Sequence, residues 1–257
     1  MNIEKSGLKF EAIIIGAGTA IPVRNHSPAS IYLKSKNFNA LLDVGPGTFS
    51  KLPLYTIDLF KLNSIFISHL HPDHVLDLAT YFLIQANTND KKKIPINIFG
   101  CKGIKKLITQ LGKLFPDIAI LNPYPNIQEL AEESFNIGEI QVQTVFTKHT
   151  TNSIAFRFDA PNDSFVYTSD CTYRKELEDF CTDTKVLVSE CSYPDNYNTK
   201  DHLNAKTLGF LAENAHVKCL YVTHCYPQAL KQNIKKQIQK YYSGLIYIAQ
   251  DGDFIHA

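Results

Sequence analysis

The 257-residue chain lacks an excess of either charge: 26 Lys and Arg stand against 25 Asp and Glu. A net charge of +1 gives no global reason to expect nucleic acid or an anionic membrane as partner. Long hydrophobic runs are missing too. Those present, such as Ala12–Ile15 and Ser64–Ile67, are far too short to span a bilayer, so no membrane role is expected. The opening MNIEKSGLKFEAIII has too brief an apolar stretch, and too few small residues, for a signal peptide. The six cysteines (101, 171, 181, 191, 219, 225) contain no CxxC pair, and a chain of this length needs no disulfide staples. Reduced thiols in a cytoplasmic protein are the expectation. No internal repeat, low-complexity segment or linker interrupts the chain, so residues 1–257 read as one domain. What remains is 44% hydrophobic and 20% charged, the balance of an ordinary globular protein.

Short β-type runs come early: FEAIII, SIYLKS, ALLDV and SIFIS. DVGPGT then SKLPLY marks a turn feeding a helix, and VLDLATYFLIQAN has helical apolar spacing. PINIF returns to strand, and KGIKKLITQLGKLF reads as an amphipathic helix ended near Pro116. IQVQTVFT, SIAFRFD and SFVYTSD are strands. After them RKELEDF, AKTLGFLAENA and QALKQNIKKQIQKYY read as helices alternating with the strands KVLVSE, CLYVTH and LIYIA. Strands followed by helices in two successive blocks predict a layered α/β sandwich with helices outside.

The chemistry concentrates in SHLHPDH, residues 68–74, where a chain with nine histidines places three of them beside an aspartate. Crowded imidazoles repel when protonated, and a metal ion removes that cost by binding the neutral rings. His69 directly follows the apolar run SIFIS, and Pro72 interrupts regular structure, so the cluster is expected on a strand-to-helix loop. In extended chain His69 and His71 point the same way, leaving Asp73 and His74 to turn toward a second ion. A surface loop that is merely histidine-rich is the plain alternative, and it fits poorly with a cluster that ends an apolar strand.

HxHxDH, matched by His69, His71, Asp73 and His74, resembles the signature of the metallo-β-lactamase superfamily. The likeness runs on through IIIGAGTAIP, ALLDVGPGT, PINIFGCKGIKKLI, VYTSD, VLVSE, LYVTH and AQDG, in an order similar to the ribonuclease Z-like branch. The resemblance implies a four-layer αββα sandwich and a dinuclear centre. One ion would take His69, His71 and His149; the second Asp73, His74 and His224; Asp170 would bridge them. Neutral imidazoles and carboxylates suit Zn²⁺, with Mn²⁺ or Fe acceptable. His149 between two strands, and Asp170 and His224 at strand ends, stand where such ligands are built, although a turn histidine or aspartate is the plain reading of each. Two ions would lower the pKa of a bridging water from about 15.7 to about 7, giving hydrolysis in which Asp73 orients that water or takes its proton.

The resemblance also implies that His202, in KDHLNAKTLGFLAENA, opens a helix and meets the substrate phosphate, where it could protonate a leaving oxygen. An exposed histidine at a helix start is the alternative. A small or modest phosphodiester substrate is the expectation from this match. Hydrolysis of a thioester, lactone or sulfate ester remains open, as does a non-catalytic metal-binding role. The tRNA-gripping arm of the ribonuclease Z branch would fall between His149 and Asp170, where only residues 150–169 lie, read as two strands and a turn. RNA therefore stays an alternative substrate without that arm, and a homodimer stays open.

Several residues are read more plainly. GAGT at 16–19 lacks the third glycine of a dinucleotide loop, since position 21 is Ile, and reads as a tight turn. Asp43 is either a support for the metal ligands or a strand-end turn former with Gly45 and Gly47. Cys171 and Cys225 directly follow ligand candidates and are read as packing residues, because neighbours on extended chain face opposite ways. His26 could border the cleft; His216 and His256 are assigned to ordinary structure. The lysines of 231–240 are read as a solvated helix face.

Overall fold

In the computed structural model, which describes residues 9–88, 96–118 and 125–256, the early β-type runs form one seven-stranded sheet. β1 (Glu11–Gly16), β2 (Ser30–Ser35) and β3 (Phe38–Leu42) pair antiparallel; β4 (Ser64–Ile67), β5 (Asn97–Cys101) and β6 (Asn126–Leu130) extend the sheet in parallel. Their connections carry α1 (Thr48–Lys51), α2 (Pro72–Val75), α3 (Leu78–Ala86) and α4 (Ile104–Leu114). The second sheet begins with the antiparallel β7 (Ser134–Ile137), β8 (Ile140–Phe146), β9 (Ile154–Ala160) and β10 (Asp163–Tyr167). It continues in parallel with β11 (Val186–Glu190), β12 (Cys219–Thr223) and β13 (Leu245–Ile248). α5 (Lys175–Phe180), α6 (Ala205–Asn214), α7 (Pro227–Leu230) and α8 (Ile234–Ile238) run between these strands, and β14 (Phe254–His256) crosses back to pair with β1.

Alternation along the strands sorts the apolar side chains into three layers of core. In β1, Ala12 and Ile14 join the cluster between the sheets, while Ile13 and Ile15 face the helices of the first half. The inter-sheet core is aromatic: Phe66 meets Phe158 edge-on at 5.1 Å and Phe156 at 5.4 Å, joining one sheet to the other. Leu187 and Val222 turn outward from the second sheet onto Leu208 and Leu211 of α6. Helix, sheet, sheet and helix therefore stack in the expected four layers.

Two local expectations need correction, and two outer strands had no expectation. Pro72 starts structure instead of breaking it: its ring suits the first position of α2, so Asp73 and His74 sit on a helical turn. The run 228–242 is two short helices, because the Asn233 side chain accepts from Lys236 N and begins α8 afresh. β6 and β7 went unread because they are the outermost strands of their sheets, largely partly exposed, with little apolar alternation to betray them. The first eight residues, considered above as a signal segment, and Pro95 of PINIF lie outside the described residues.

Candidate metal centre

The site gathers where strands of both sheets end. Asp43 follows β3, His69 follows β4, Asp170 follows β10, Glu190 closes β11 and His224 follows β12. Asp43, Ser169 and His224 have φ of 55°, 52° and 52°, a left-handed conformation costly for residues other than glycine. Backbone bonds hold two of these bends: Asp43 N donates to Phe66 O (2.8 Å) and His224 N to Ala17 O (2.8 Å). GAGT is the tight turn expected: a Cβ on Gly16 or Gly18 would lie 1.8 or 2.3 Å from the carbonyl oxygen of Pro28 or His26.

All seven candidate ligands converge. His69 Nε2 and His149 Nε2 lie 3.0 and 3.1 Å from His71 Nδ1. The second group is Asp73, His74 and His224, with His74 Nε2 3.4 Å from His224 Nε2 and Asp73 Oδ2 3.5 Å from the same nitrogen. Asp170 stands between the groups. Its Oδ2 is 3.5 Å from His149 Nε2 and 3.8 Å from His69 Nε2, while Oδ1 is 3.4 Å from His224 Nδ1 and 3.5 Å from His74 Nε2.

The outward nitrogens show which lone pairs face inward. His149 Nδ1 donates to Asp201 O (2.9 Å), leaving Nε2 bare. His74 Nδ1 donates to Asp43 Oδ2 (2.8 Å). His69 Nδ1 meets Ser68 Oγ at 3.0 Å, and that hydroxyl passes its own proton to Asp43 Oδ2 at 2.8 Å. One wholly buried carboxylate thus orients two imidazoles, and it also accepts from Ser68 N and Tyr167 Oη at 2.8 Å each. The Asp43 side chain supports the candidate ligands while its left-handed backbone makes the bend after β3, so the two readings meet in one residue.

Electrostatics agree with a cation-binding set. Burial, with neighbouring imidazoles, lowers His69 to about 2, and burial lowers His71 as well, favouring the neutral rings that coordinate. Burial alone would raise Asp170, but His224 and His74 hold it well below the carboxylate range. His74 is pulled down by burial and pushed up further by Asp170 and Asp43, with a net rise. A proton on His74 and a divalent cation are thus alternative partners for Asp170. Its Oδ1 is buried with no hydrogen-bond partner, a costly arrangement that a cation relieves. The residues fit divalent metal.

His202 is brought to the same place, though not as a helix opener. α6 begins at Ala205 behind an Asn204 capping box, so His202 precedes the cap and its ring owes nothing to the helix end. Instead Nδ1 donates to Glu190 Oε1 (2.9 Å), and the ring lies 4.8 Å from His149 and 5.8 Å from His224, between centroids. Burial would lower its pKa, but the Glu190 bond and charge outweigh this and raise it. Glu190, 1% exposed and also bonded by Cys171 N (2.7 Å) and Ser192 Oγ (2.5 Å), was missed in the sequence. The signal existed: VLVSE ends an apolar strand in a carboxylate, as VYTSD nearly does.

The remaining candidates lie apart. His26 Nδ1 is spent on Arg24 O (2.9 Å), and the ring joins neither ligand group. Cys171 and Cys225 are packed in the apolar layer under α6; burial raises Cys171 well above, and Cys225 to about 12, so both stay thiols. All six cysteines are free. His216 takes φ 55° at the end of α6, where its N–H bonds Glu213 O and that of Val217 bonds Ala212 O, a structural helix stop. The side chain of His256 lies outside those described.

The family described as Anti-Pycsar protein Apyc1 matches residues 10–243. The probable metallo-hydrolase YhfI of Bacillus subtilis is 26% identical over 247 residues, covering 95% of this chain and 98% of that protein. Its crystal structure superposes with TM-score 0.85 at 22% identity, over 97% of this chain and 100% of that one. Ribonuclease Z of Borrelia duttonii is 22% identical over 95% of this chain and 96% of its own. Human tRNase Z, short form, shares the fold at TM-score 0.78 and 19% identity, over 95% of this chain and 98% of that one.

Proposed function

This chain, a metallo-hydrolase of the metallo-β-lactamase fold, belongs to the Anti-Pycsar protein Apyc1 family, and on that premise we propose that it is a dinuclear metal-dependent phosphodiesterase for a small or modest substrate. The observation that carries the substrate class is the Glu190–His202 pair beside Asp170 and His224. His69, His71 and His149 would hold one ion and Asp73, His74 and His224 the other, with Asp170 shared; zinc suits these donors, and manganese or iron is acceptable. Divalent ions there would lower the pKa of water and withdraw charge from the attacked centre.

The chain's own residues supply the rest. Asp73 is lowered to about 2, because its bond from His224 and the charges of His74 and His224 outweigh burial, so it stays ionised and orients the attacking water. Glu190 fixes His202 through Nδ1, which turns Nε2 to the substrate as the proton-carrying atom. A departing alkoxide needs that proton, whereas the thiolate of a thioester needs it less. The stretch between His149 and Asp170 is filled by β9, a turn and β10, which offers no arm to grip a tRNA and favours a smaller diester. The name of ribonuclease Z relatives keeps RNA within the same phosphodiester class.

Metal analysis after reconstitution with zinc or manganese should give two ions per chain. Bis-p-nitrophenyl phosphate should then be cleaved well above thioester and lactone panels. One ion or fewer would overturn the dinuclear reading, and a panel led by thioesters or lactones would overturn the substrate class.

A further inference from the structure

Ser192, wholly buried two residues beyond Glu190, lies between the candidate metal ligands and His202. Its Oγ is 2.5 Å from Glu190 Oε2, 3.2 Å from His202 Nδ1, 3.2 Å from His224 O and 3.4 Å from His224 Nδ1. A hydroxyl has one proton to give, and the carboxylate, nearest and charged, takes it. The lone pairs left on Oγ accept. His202 Nδ1 has a nearer acceptor in Glu190 Oε1, at 2.9 Å. His224 Nδ1 has no such rival, since Asp170 Oδ1 lies 3.4 Å away but makes no hydrogen bond among the described residues. His224 Nδ1 therefore donates to the Ser192 hydroxyl, in a bond at the long end of the range.

The backbone keeps the two residues side by side. Cys191 N donates to Thr223 O (3.0 Å) and Tyr226 N to Ser192 O (3.3 Å), so the segments leaving β11 and β12 run together past the site. With its proton on Nδ1, His224 turns a bare Nε2 toward His74 and Asp73, at 3.4 and 3.5 Å. The first half of the molecule uses the same arrangement. Ser68 Oγ stands between His69 Nδ1 and Asp43, and Asp43 takes His74 Nδ1 directly. Ser192 stands between His224 Nδ1 and Glu190, and Glu190 takes His202 Nδ1 directly. Both serines are wholly buried and give their backbone N–H to the same carboxylate, at 2.8 Å for Ser68 and 3.3 Å for Ser192. Two separate stretches of chain thus repeat one arrangement, and packing alone does not call for it.

We propose that Ser192 is a positioning residue for the metal group of Asp73, His74 and His224. Its hydroxyl fixes the His224 ring with the proton on Nδ1, and by giving its own proton to Glu190 it ties that ligand to the carboxylate that orients His202. The inference rests on the two-ion reading above and extends it from the ligands to what holds them. Asp43 supports two ligands, whereas Glu190 supports one ligand through Ser192 and one proton-carrying ring directly. Loss of the Ser192 hydroxyl therefore acts on one ion and spares the other.

Zinc titration against a chelator reads this without any substrate. Ser192→Ala should weaken one of the two ions by about 10–100-fold and leave the other unchanged. On a His224→Ala background the same change should leave the ion still bound untouched. On a His71→Ala background its effect should persist to within about 2-fold, because His71 belongs to the other group. NMR of the zinc-loaded wild type should show a slowly exchanging imidazole N–H that vanishes in His224→Ala, and Ser192→Ala should lose it as well. Ser192→Cys, close in size and a weaker hydrogen-bonding partner, serves if the alanine variant fails to fold, and should lie between it and wild type. Unchanged zinc affinity in Ser192→Ala, an equal loss with and without His224, or a His224 N–H that survives the change would overturn the inference. A single ion in the wild type would overturn the two-ion reading alone, and the same substitutions on that ion would then decide the role of Ser192.

Discussion

The first sheet delivers His69, His71, Asp73 and His74 from six consecutive positions after one strand, whereas the second delivers Asp170, Glu190 and His224 from the ends of three strands. In the first half the backbone of one loop and one helical turn fixes the geometry. In the second, the parallel register of β10, β11 and β12 does so, pairing Tyr167 with Val188 and Glu190 with Thr223. The left-handed bends at Ser169 and His224 then turn the chain into the site. Asp43 joins the halves, because it receives Ser68 and His74 from one side and Tyr167 from the other. A compact motif supplies four of the seven candidate ligands, and a scattered set supplies Asp170, His224 and the Glu190 that bonds His202.

The sharpest way to break that comparison is to remove one donor from each half. His69→Ala and Asp170→Ala should both reduce hydrolysis to background and lower the metal content measured by elemental analysis. Full activity and unchanged metal in Asp170→Ala would show that the scattered set contributes no ligand. A smaller effect is expected at His202, which holds no place among the seven donors. His202→Ala should keep both metals and lose about 10²–10⁴-fold in phosphodiester turnover, with less loss on p-nitrophenyl esters, whose leaving group needs little protonation.

Glu190 sharpens this through pH. It raises the His202 pKa, so the acid form persists as pH rises and is lost above the ordinary histidine range. Glu190→Gln should move the alkaline fall in kcat to lower pH, and an unmoved profile would separate Glu190 from the acid. Next in size is the joint itself: Asp43→Asn should cost about 10–100-fold in metal affinity or activity, as loss of an outer-shell partner does. Titration with zinc against a chelator measures it.

The smallest expected effect lies away from the chemistry. Asp251, 9% exposed in its side chain, accepts from Ala17 N and Ser27 N at 3.0 Å each and pairs with Lys51 Nζ at 2.6 Å, tying the C-terminal turn to the loop after β1. Asp251→Ala should destabilise by about 1–3 kcal/mol in urea unfolding, the cost of unpaired buried donors, without loss of metal. Burial would raise its pKa, but the bonds from Lys51, Ala17 and Ser27 lower it. Its stabilising contribution is therefore present above the ordinary aspartate pKa and is lost as pH falls below that range.

Much of this was legible in the residues alone. SIFIS and LYVTH are short apolar strand runs, the first followed directly by His69 and the second ending in His224, and HxHxDH is local by its spacing. Pro72 misled because a proline that interrupts a strand also begins a helix well, and the conformation of Asp73 and His74 behind it settles the choice. The halves of QALKQNIKKQIQKYY were joined because helical spacing carries no mark of a side chain that caps from within.

The sequence by itself determined the order of most strands and helices, β6, β7 and the division between α7 and α8 apart, together with the metal-binding motif and the residue types available to a hydrolase, since each is written in neighbouring positions. Only the tertiary structure decided that Glu190 holds His202, that Asp43 holds both His69 and His74, and that Ser192 stands between Glu190 and His224. Those relations join residues far apart in the chain, and they exist because the pairing of β3 with β4 and of β10 with β11 and β12, closed on one aromatic core, puts the ends of distant strands within hydrogen-bond reach.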